Sequence, residues 1–239
     1  MDTTDALAAF AVKDITSGMT VGLGTGRTAS RALRALADRV SNEHLDVRCV
    51  STSRKTTELA ESLGLTLIDL PDADAIDLLF DGADEVDQNM VLLKGRGGAM
   101  TREKIIAHAA DRRLYLVQKD KVVENIGQTG PVPIEVLPFA QRTVTDALND
   151  YGLDPQLHTD ESGTPATTDD GGNIILATIP ERLTDTVDAM LEFSLAIKHI
   201  PGVIEHGLFA EEADAVLIEG ETDEDLELYL RQDEPDEEQ

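Results

Sequence analysis

The sequence predicts an α/β fold in which a mainly parallel, Rossmann-like sheet is flanked by helices. Three observations support this prediction. Short apolar strands alternate with helical patterns from the N-terminus to about residue 130. The stretch AIDLLFD is apolar on both faces, as central parallel strands are. Loops rich in glycine or in acids follow several strands, at the edge where open α/β sheets bind their ligands.

The elements predicted up to residue 118 alternate regularly. Apolar residues in helical spacing predict helices, and short apolar runs predict strands. In chain order, we predict a helix over 4–16, a strand in GMTVGLG, a helix in RTASRALRALADRV, a strand in LDVRCVS, a helix in RKTTELAESLGL that Gly64 closes, strands in LTLIDL and AIDLLFD, a helix in TREKIIAHAADR and a strand in RLYLVQ.

The pattern changes near Pro131, and a smaller α+β domain is predicted over 131–202. PVPIEVLPF carries three prolines, which suits an edge strand or the entry to a new domain. A helix in AQRTVTDALNDYG, strands in PQLHT and NIILATI, and a helix in LTDTVDAMLEFSLAIKHI follow, before ADAVLIEG rejoins the first sheet. We therefore predict a Rossmann-like domain over 1–130 plus 203–230 with the small domain inserted before its last strand. An acidic helix from Glu221 and an acidic tail over 231–239 complete the chain.

The charge of this 239-residue chain is extreme. It has 20 Lys and Arg against 47 Asp and Glu, a net charge of −27 at pH 7. Such a surface repels nucleic acid and anionic membranes, so neither is an expected partner. Salt screens the repulsion, since the Debye length falls to about 3 Å at about 1 M. We interpret the composition as that of a halophilic protein; an ordinary acidic protein with an acidic tail is the alternative.

The cysteine content and the N-terminus both favour a cytoplasmic protein. Cys49 is the only cysteine, so an intrachain disulfide cannot form. Its place in the apolar run RCVSTS predicts a buried small side chain rather than a nucleophile. The first residues lack the basic start and long apolar core of a signal peptide, and no stretch approaches about 18 consecutive apolar residues.

The loop VGLGTGRTAS has the composition of a phosphate-binding turn. Its alternating glycines follow a strand and open a helix, so backbone N–H groups and the helix dipole can face an anion. Thr25 and Thr28 add hydroxyl donors. A dinucleotide fingerprint does not fit, because Arg27 replaces its third glycine and no acid ends the next strand. The loop is therefore either a cradle for a small phosphate or a strand–helix turn without a ligand.

Two further loops hold most of the candidate ionisable groups. DLLFDGADEVD places Asp81 and Asp84 at the end of a predicted central strand, where their repulsion needs compensation by water, a metal, a cation or a substrate. A solvated acidic loop and an Mg²⁺ site are the alternatives here. LLKGRGGAMTREKIIA places Lys94 beside glycines that let the backbone approach a ligand. Glu103 falls in the first turn of a helix that Thr101 can cap, where the helix dipole alone also favours an acid.

Together these loops resemble the signature loops of the type A ribose-5-phosphate isomerases. The similar stretches are GLGTGRTA, DGADEVD and LKGRGGAMTREKI, followed in the same order by VPIEVLPFA and IPGVIEHGLF. The resemblance extends from about Thr4 to Gly220. It implies an aldose–ketose isomerase that interconverts D-ribose 5-phosphate and D-ribulose 5-phosphate through an enediolate, in the non-oxidative branch of pentose phosphate metabolism. It further implies a sugar phosphate as the small-molecule partner, no cofactor or metal, and a homodimer or homotetramer.

The resemblance also implies a role for each matched residue. Glu103 is the expected base, Lys94 the cation that stabilises the enediolate, and Asp81 the acid that assists ring opening. Asp84 is expected to bind sugar hydroxyls, so the carboxylates at the strand end face a polyol and need no metal. The acids left to solvent are Glu85 and Asp87. The expected substrate-binding residues are Thr25, Gly26, Arg27, Thr28, Asp81, Gly82, Ala83, Asp84, Lys94, Gly95, Arg96, Gly97 and Lys121.

Departures from the family pattern affect the phosphate site. Arg27 stands where the family usually has Ser, and Arg96 where it usually has Gly. We predict that both bind phosphate; the alternative is that they fold back onto acidic side chains of this chain. Lys121 matches a family lysine, although QKDK departs from the usual Asp-x-Ser-Lys. An early lysine common in bacterial members has no counterpart in residues 1–12.

The sequence disfavours two other functions. A non-catalytic sugar-phosphate sensor of the kind found in transcription regulators needs a DNA-binding segment, whereas this charge opposes DNA and the first predicted helix already belongs to the fold. A related enzyme, such as an amino-sugar phosphate deaminase or a CoA transferase, is disfavoured by the presence of Asp81, Asp84, Lys94 and Glu103 together.

Overall fold

The computed structural model describes residues 5–159, 161–179, 186–220 and 225–231 and has the predicted α/β class. The helices are α1 (Ala6–Val12), α2 (Arg27–Glu43), α3 (Arg54–Ser62), α4 (Met100–Ala109), α5 (Gln141–Asp150) and α6 (Val187–Lys198). The strands are β1 (Thr20–Leu23), β2 (Arg48–Ser51), β3 (Thr66–Leu67), β4 (Leu78–Gly82), β5 (Glu85–Val86), β6 (Leu92–Leu93), β7 (Arg113–Gln118), β8 (Val132–Val136), β9 (Gln156–Leu157), β10 (Asn173–Ala177), β11 (Val203–His206), β12 (Leu208–Phe209), β13 (Ala215–Glu219) and β14 (Leu226–Leu230).

The order in which the chain adds strands to the main sheet reverses between β1 and β4. Its strand order is β14-β13-β7-β4-β1-β2-β3, and its neighbours are parallel except for β13 and β14. The chain runs outward from β1 to β3 and then continues at β4 on the other side of β1. The carboxyl ends of β1 and β4 therefore flank a crevice, which is where open α/β sheets bind ligands.

Burial explains the apolar runs in the central strands. All four residues of β1 are buried, and in β4 Leu79 and Phe80 are fully inaccessible because helices cover both faces. Cys49 is also fully buried in β2, as predicted, and burial raises the pKa of its thiol to about 12. No helix in the described part of the chain is long and apolar enough to cross a membrane.

The helices follow from side-chain spacing and capping. One face of α2 is buried, and the residues on it are Ala29, Ala32, Leu33, Leu36 and Ala37. Side-chain oxygens accept hydrogen bonds from first-turn N–H groups in other helices, and these caps are Asp5 for α1, Ser53 for α3 and Thr186 for α6. The first helix is shorter than the predicted 4–16, because Lys13 already lies at its C-cap.

A second, antiparallel sheet has the order β11-β8-β10-β9 and shares a separate apolar core with α5 and α6. β8 lies between β11 and β10, so its prolines do not mark an edge strand. Pro133 pairs with Leu176 of β10, and its carbonyl accepts a 2.8 Å hydrogen bond from the N–H of Gly207. β5, β6 and β12 form a small third sheet. This sheet was not predicted, because strands of two residues are too short to show an alternating pattern.

Two expectations for the later part of the chain are wrong. The described residues after Glu221 form β14, which pairs antiparallel with β13, instead of the expected acidic helix. β11 belongs to the small sheet, so that sheet continues beyond the boundary predicted at 202. Residues 221–224 and most of the predicted tail, 232–239, lie outside the described residues. The division into two domains stays a proposal, with the small domain extended to include β11.

Candidate active site

A cleft of about 320 Å³ lies at the carboxyl ends of β1, β4 and β7. The three loops singled out in the sequence meet here: the first follows β1, the second ends β4, and the third follows β6 of the small third sheet. The predicted residues that line the cleft are Thr25, Gly26, Arg27, Thr28, Gly82, Ala83, Asp84, Lys94, Gly95, Arg96, Gly97, Glu103 and Lys121. Gln118 also lines it and was missed; its place at the end of a parallel strand was the one available signal.

Lys94 lines the cleft in contact with two carboxylates. Its Nζ atom is 3.0 Å from Oδ2 of Asp81 and 3.4 Å from Oε2 of Glu103. It also donates a hydrogen bond to the carbonyl oxygen of Gly82. The Lys94, Asp81 and Glu103 side chains are only 4%, 0% and 6% exposed. Buried charges of this kind persist only when they compensate one another, so each group fixes the position of the others.

Burial also shifts the pKa values of these three side chains. It raises the pKa of Glu103 to about 8, against the opposing effect of the nearby Lys94 charge. It also raises the pKa of Asp81. Burial alone disfavours a charged Lys94, but its carboxylate neighbours outweigh this and raise its pKa. Glu103 can therefore both take up and release a proton near neutral pH while the lysine stays charged.

Asp81 does not line the cleft surface, since its side chain is fully buried behind Lys94. Its Oδ1 atom accepts hydrogen bonds from the N–H groups of Thr25 at 2.9 Å and Gly82 at 2.7 Å. The close approach of the loop after β1 depends on Gly24, because a Cβ there would lie 2.2 Å from Oδ1 of Asp81. The first glycine-rich loop thus holds Asp81 as well as bordering the cleft.

The expectation that Glu85 is solvated is wrong. Glu85 is fully buried and accepts hydrogen bonds from the N–H groups of Gly127 at 2.6 Å and Thr129 at 2.7 Å. Its Oε1 atom is also 3.2 Å from Nη2 of Arg96. Glu85 therefore ties a neighbouring loop to the cleft wall.

Asp87 is likewise buried rather than solvated, with Oδ1 2.9 Å from the N–H groups of both Asn89 and Val91. It stabilises its own turn. Asp84 is half-buried and lines the cleft, and its Oδ2 atom accepts a 3.1 Å hydrogen bond from the N–H of Arg96. The crowded acids at the end of β4 therefore point to separate partners, which explains how the chain tolerates them.

Cations line the cleft despite the strongly acidic chain. Arg27 opens α2, is exposed, and makes no side-chain hydrogen bond or ion pair with any described residue. Lys121 lines the same cleft and lies 3.0 Å from Asp120. The first N–H groups of α2 lack partners within the helix and add a positive dipole end.

Two residues predicted to bind substrate have side chains that contact other protein groups. The hydroxyl of Thr25 lies 2.7 Å from that of Thr52 and 2.8 Å from that of Ser53, so it joins α3 to the loop. The Arg96 guanidinium contacts Glu85 and donates a 2.8 Å hydrogen bond to Oγ1 of Thr129, which matches the alternative in which it folds back. Among the described residues, no group of three or more His, Cys, Asp or Glu is arranged to hold a metal ion.

Comparison with known proteins gives consistent matches along the chain. The sequence model of the family described as ribose 5-phosphate isomerase A (phosphoriboisomerase A) matches residues 48–223. A ribose-5-phosphate isomerase A from Thermomicrobium roseum is 42% identical over 216 residues, or 90% of this chain and 89% of the relative. One from Thermococcus kodakarensis is 40% identical over 214 residues, or 89% of this chain and 92% of the relative.

Solved structures are similar over nearly the whole length. Ribose 5-phosphate isomerase A from Methanocaldococcus jannaschii has a TM-score of 0.86 and 35% identity, covering 96% of this chain and 98% of the other. A D-ribose-5-phosphate isomerase in complex with phospho-erythronic acid has a TM-score of 0.88 and 36% identity, covering 95% of this chain and 97% of the other.

Proposed function

The chain belongs to the ribose 5-phosphate isomerase A family and interconverts ribose 5-phosphate and ribulose 5-phosphate, and we propose that the cleft beside Lys94 performs this reaction. The observation that supports this site most directly is the contact of one buried lysine with two buried carboxylates, Asp81 and Glu103. An aldose–ketose isomerisation needs a base and a fixed positive charge, and this cluster supplies both.

Glu103 is the proposed base. In its ionised form it takes the proton from C2 of the open-chain aldose, and the electron pair left behind forms the enediolate. Glu103 then returns the proton to C1 while the hydroxyl proton on O2 passes to the oxygen on C1, which gives the ketose. The positive charge of Lys94 stabilises the negative charge that develops on the substrate oxygen, and such stabilisation is strongest where water is excluded. The raised pKa of Glu103 suits a group that must hold and release the same proton.

Asp81 and Asp84 are proposed for the steps around proton transfer. The raised pKa of Asp81 allows it to carry a proton for ring opening, and its Oδ2 atom lies 3.0 Å from Nζ of Lys94, which lines the cleft. Asp84 lines the cleft, where its carboxylate can accept hydrogen bonds from sugar hydroxyls.

The phosphate group is proposed to bind at the start of α2. Gly26, Arg27 and Thr28 line the cleft there, and Lys121 also lines the cleft. Helix N–H groups and cations together form an anion site. Arg96 lines the cleft, and its guanidinium lies 3.2 Å from Oε1 of Glu85. A relative is found in complex with phospho-erythronic acid, a polyol acid that carries a phosphate, which fits a cleft lined by both cations and carboxylates.

A direct assay tests the activity and the absence of a metal together. Ribose 5-phosphate is added in about 1 M KCl, where surface repulsion is screened, with excess EDTA. Ketose formation is followed with a coupled enzyme. We expect full activity after exhaustive chelation, because Lys94 supplies the positive charge. Activity that disappears on chelation and returns with Mg²⁺ would instead assign Asp81 and Asp84 to a metal.

Arg27→Ser should weaken phosphate binding. Charge-assisted hydrogen bonds contribute about 1.5–3 kcal/mol, so KM for ribose 5-phosphate should rise by about tenfold or more. KM for unphosphorylated ribose should not change. Arg34→Ser is the matched control, since Arg34 is an exposed arginine further along α2 that does not line the cleft. Equal KM values for the two variants, measured in the same KCl, would make Arg27 a surface residue.

Halophilic behaviour is proposed from the net charge of −27. Self-repulsion is weakly screened at low ionic strength, where the Debye length reaches about 30 Å at about 0.01 M. The thermal midpoint should therefore rise steeply between about 0.1 M and about 3 M KCl. Sucrose, which is uncharged, should not reproduce the steep rise at low concentration. A flat profile in KCl would contradict the proposal.

We also propose a cytoplasmic homodimer or homotetramer that binds no nucleic acid or membrane. The acidic surface supports the absence of these anionic partners. The Ile200–Phe209 segment is a poor contact surface, because Leu208 and Phe209 are buried. Phe139 is fully exposed and Leu137 is 51% exposed, which makes this part of the small domain the better candidate. Light scattering at several protein concentrations would measure the assembly.

A further inference from the structure

The small domain contributes no described residue to the cleft. Every residue that lines the cleft lies between Thr25 and Lys121. Yet α4, which carries Glu103 in its first turn, is bound by polar contacts to the small domain on both sides of that residue. These contacts indicate what the small domain does for the reaction.

Lys104 forms the most extensive of these contacts. Its Nζ atom lies 3.0 Å from Oε1 of Glu205 and 3.2 Å from Nδ1 of His206. It also donates to the carbonyl oxygens of His206 at 3.0 Å and Leu208 at 2.7 Å. The Lys104 side chain is only 15% exposed, so its ammonium group binds these acceptors instead of water. These contacts fix α4 against the end of β11.

The neighbouring imidazole has a structural and not a nucleophilic role. Lys104 is a donor, so Nδ1 of His206 must be the acceptor, and the ring proton lies on Nε2, 3.0 Å from Oγ of Ser194. His206 therefore cannot act as a base toward Ser194. Burial and the adjacent Lys104 charge lower the pKa of His206 to about 3, which keeps the ring neutral.

Thr101 and Arg102 hold the other side of Glu103. Thr101 was expected to cap α4, but the helix begins at Met100, and the Thr101 hydroxyl donates to the fully buried carboxylate of Glu135 in β8. Arg102 lies 2.6 Å from Asp170 in the loop before β10. The residues on both sides of Glu103 in the sequence thus each bind a different part of the small domain.

The segment that follows β11 also contacts the strand that leads to Lys94. The N–H of Lys94 donates a 2.8 Å hydrogen bond to the carbonyl of Gly207, which directly follows β11. A Cβ on Gly207 would lie 2.0 Å from the carbonyl oxygen of Lys94, so only glycine permits this approach. The ring of Phe209 has the Nζ atoms of Lys94 and Lys104 at 5.6 Å and 4.7 Å from its centre. One segment, 206–209, therefore connects the catalytic lysine to the anchor of α4.

We propose that the small domain acts as a clamp that sets the distance between Glu103 and Lys94, with Lys104 and Thr101 as its positioning residues. Neither residue lines the cleft. A base displaced by about 1 Å can lose about 10²-fold in rate, whereas substrate contacts made elsewhere are unaffected. The clamp rests on the proposed role of Glu103 as base.

The chain offers two matched pairs of variants for the test. Lys104 and Lys198 both pair with Glu205, at 3.0 Å and 2.8 Å, but only Lys104 lies on α4. Thr101 and Thr168 both donate to Glu135, but only Thr101 lies on α4. Each pair therefore removes one contact from the same small-domain acid, and only one member of each pair also releases the helix that carries Glu103.

We expect Lys104→Met and Thr101→Val to lower kcat by about 10-fold to 10²-fold with little change in KM. Lys198→Met and Thr168→Val should keep kcat within about threefold. The primary isotope effect with substrate deuterated at C2 should rise in the first two variants only, because proton abstraction becomes slower. If Lys104→Met does not fold, the nearly isosteric threonine pair decides the question alone. Equal kcat values within each folded pair would overturn the clamp. Wild-type activity in Glu103→Gln would instead overturn the assignment of the base.

Discussion

Glu103→Gln is expected to lower kcat by about 10²–10⁴-fold and to leave KM for ribose 5-phosphate nearly unchanged. Glutamine keeps the size of the side chain but cannot accept the C2 proton. The residues proposed to bind the phosphate and the sugar hydroxyls lie in other loops of the cleft. Steady-state kinetics in molar KCl measure both constants, and isothermal calorimetry with ribose 5-phosphate measures binding directly.

The control for this change is Glu61→Gln, because Glu61 is exposed on α3 and does not line the cleft. Its kcat should equal that of the wild type. The thermal midpoint of Glu103→Gln should not fall, since the variant replaces a buried group whose charged form is disfavoured. A Glu103→Gln enzyme with more than about a tenth of the wild-type kcat would remove Glu103 from the role of base.

The pH dependence of the wild type follows from the same carboxylate. The base acts only when it is ionised, and burial raises its pKa to about 8. The rate constant kcat/KM should therefore rise with pH up to about 8 and level off above it. The residual rate of Glu103→Gln should lack this rise. A wild-type profile that is already flat from about pH 5 upward would show that Glu103 ionises at its ordinary pKa.

Part of this site could be predicted from the sequence because parallel strands impose their own geometry. Asp81 lies near the end of β4, so the βαβ pattern predicts it at the carboxyl edge of the main sheet. Lys94 follows β6 of the small third sheet and Glu103 lies on α4, so for these two residues the prediction depended on the resemblance of their loop. The sequence also indicated that Gly24 belongs to a ligand-binding loop. The physical reason for a glycine there, its close approach to Asp81, is visible only in the structure.

The contacts that individual side chains make could not be predicted in the same way. Glu85 and Asp87 look like solvated acids in a chain this acidic, and their burial depends on N–H groups of turns that have no periodic pattern. Arg96 binds Glu85 because Glu85 is buried nearby, which the sequence does not encode locally. Likewise, β5, β6 and β12 are two-residue strands whose pairing depends wholly on tertiary contacts.

Lys94→Met should have the second large effect, because it removes the only positive charge in contact with Asp81 and Glu103 among the described residues. Stabilisation of the developing oxyanion is lost, which typically costs about 10²–10³-fold in kcat. The attraction of Lys94 also opposes the burial that raises the pKa of Glu103. Without it the pKa rises further, so the remaining activity should increase up to a higher pH than in the wild type.

The stability of Lys94→Met should respond to pH as well. Breaking a buried pair by removing one partner costs about 3–5 kcal/mol when a charge is left uncompensated. The two carboxyls can avoid this by binding protons, and their pKa values are then higher in the folded state than in the unfolded state. Their contribution is present below the unfolded pKa and is lost as pH rises towards the folded pKa. The thermal midpoint should therefore fall between about pH 5 and about pH 9, and more steeply than in the wild type.

Lys55→Met is the matched control for this prediction, since Lys55 is exposed on α3 and its removal changes the net charge equally. Comparing the two variants separates the local effect at the cleft from the general self-repulsion of an acidic chain. If both variants lose the same stability at every pH, the buried carboxyls are compensated by something other than Lys94. If kcat of Lys94→Met stays within about threefold of the wild type, Lys94 does not stabilise the enediolate, and the fixed positive charge must come from elsewhere in the cleft.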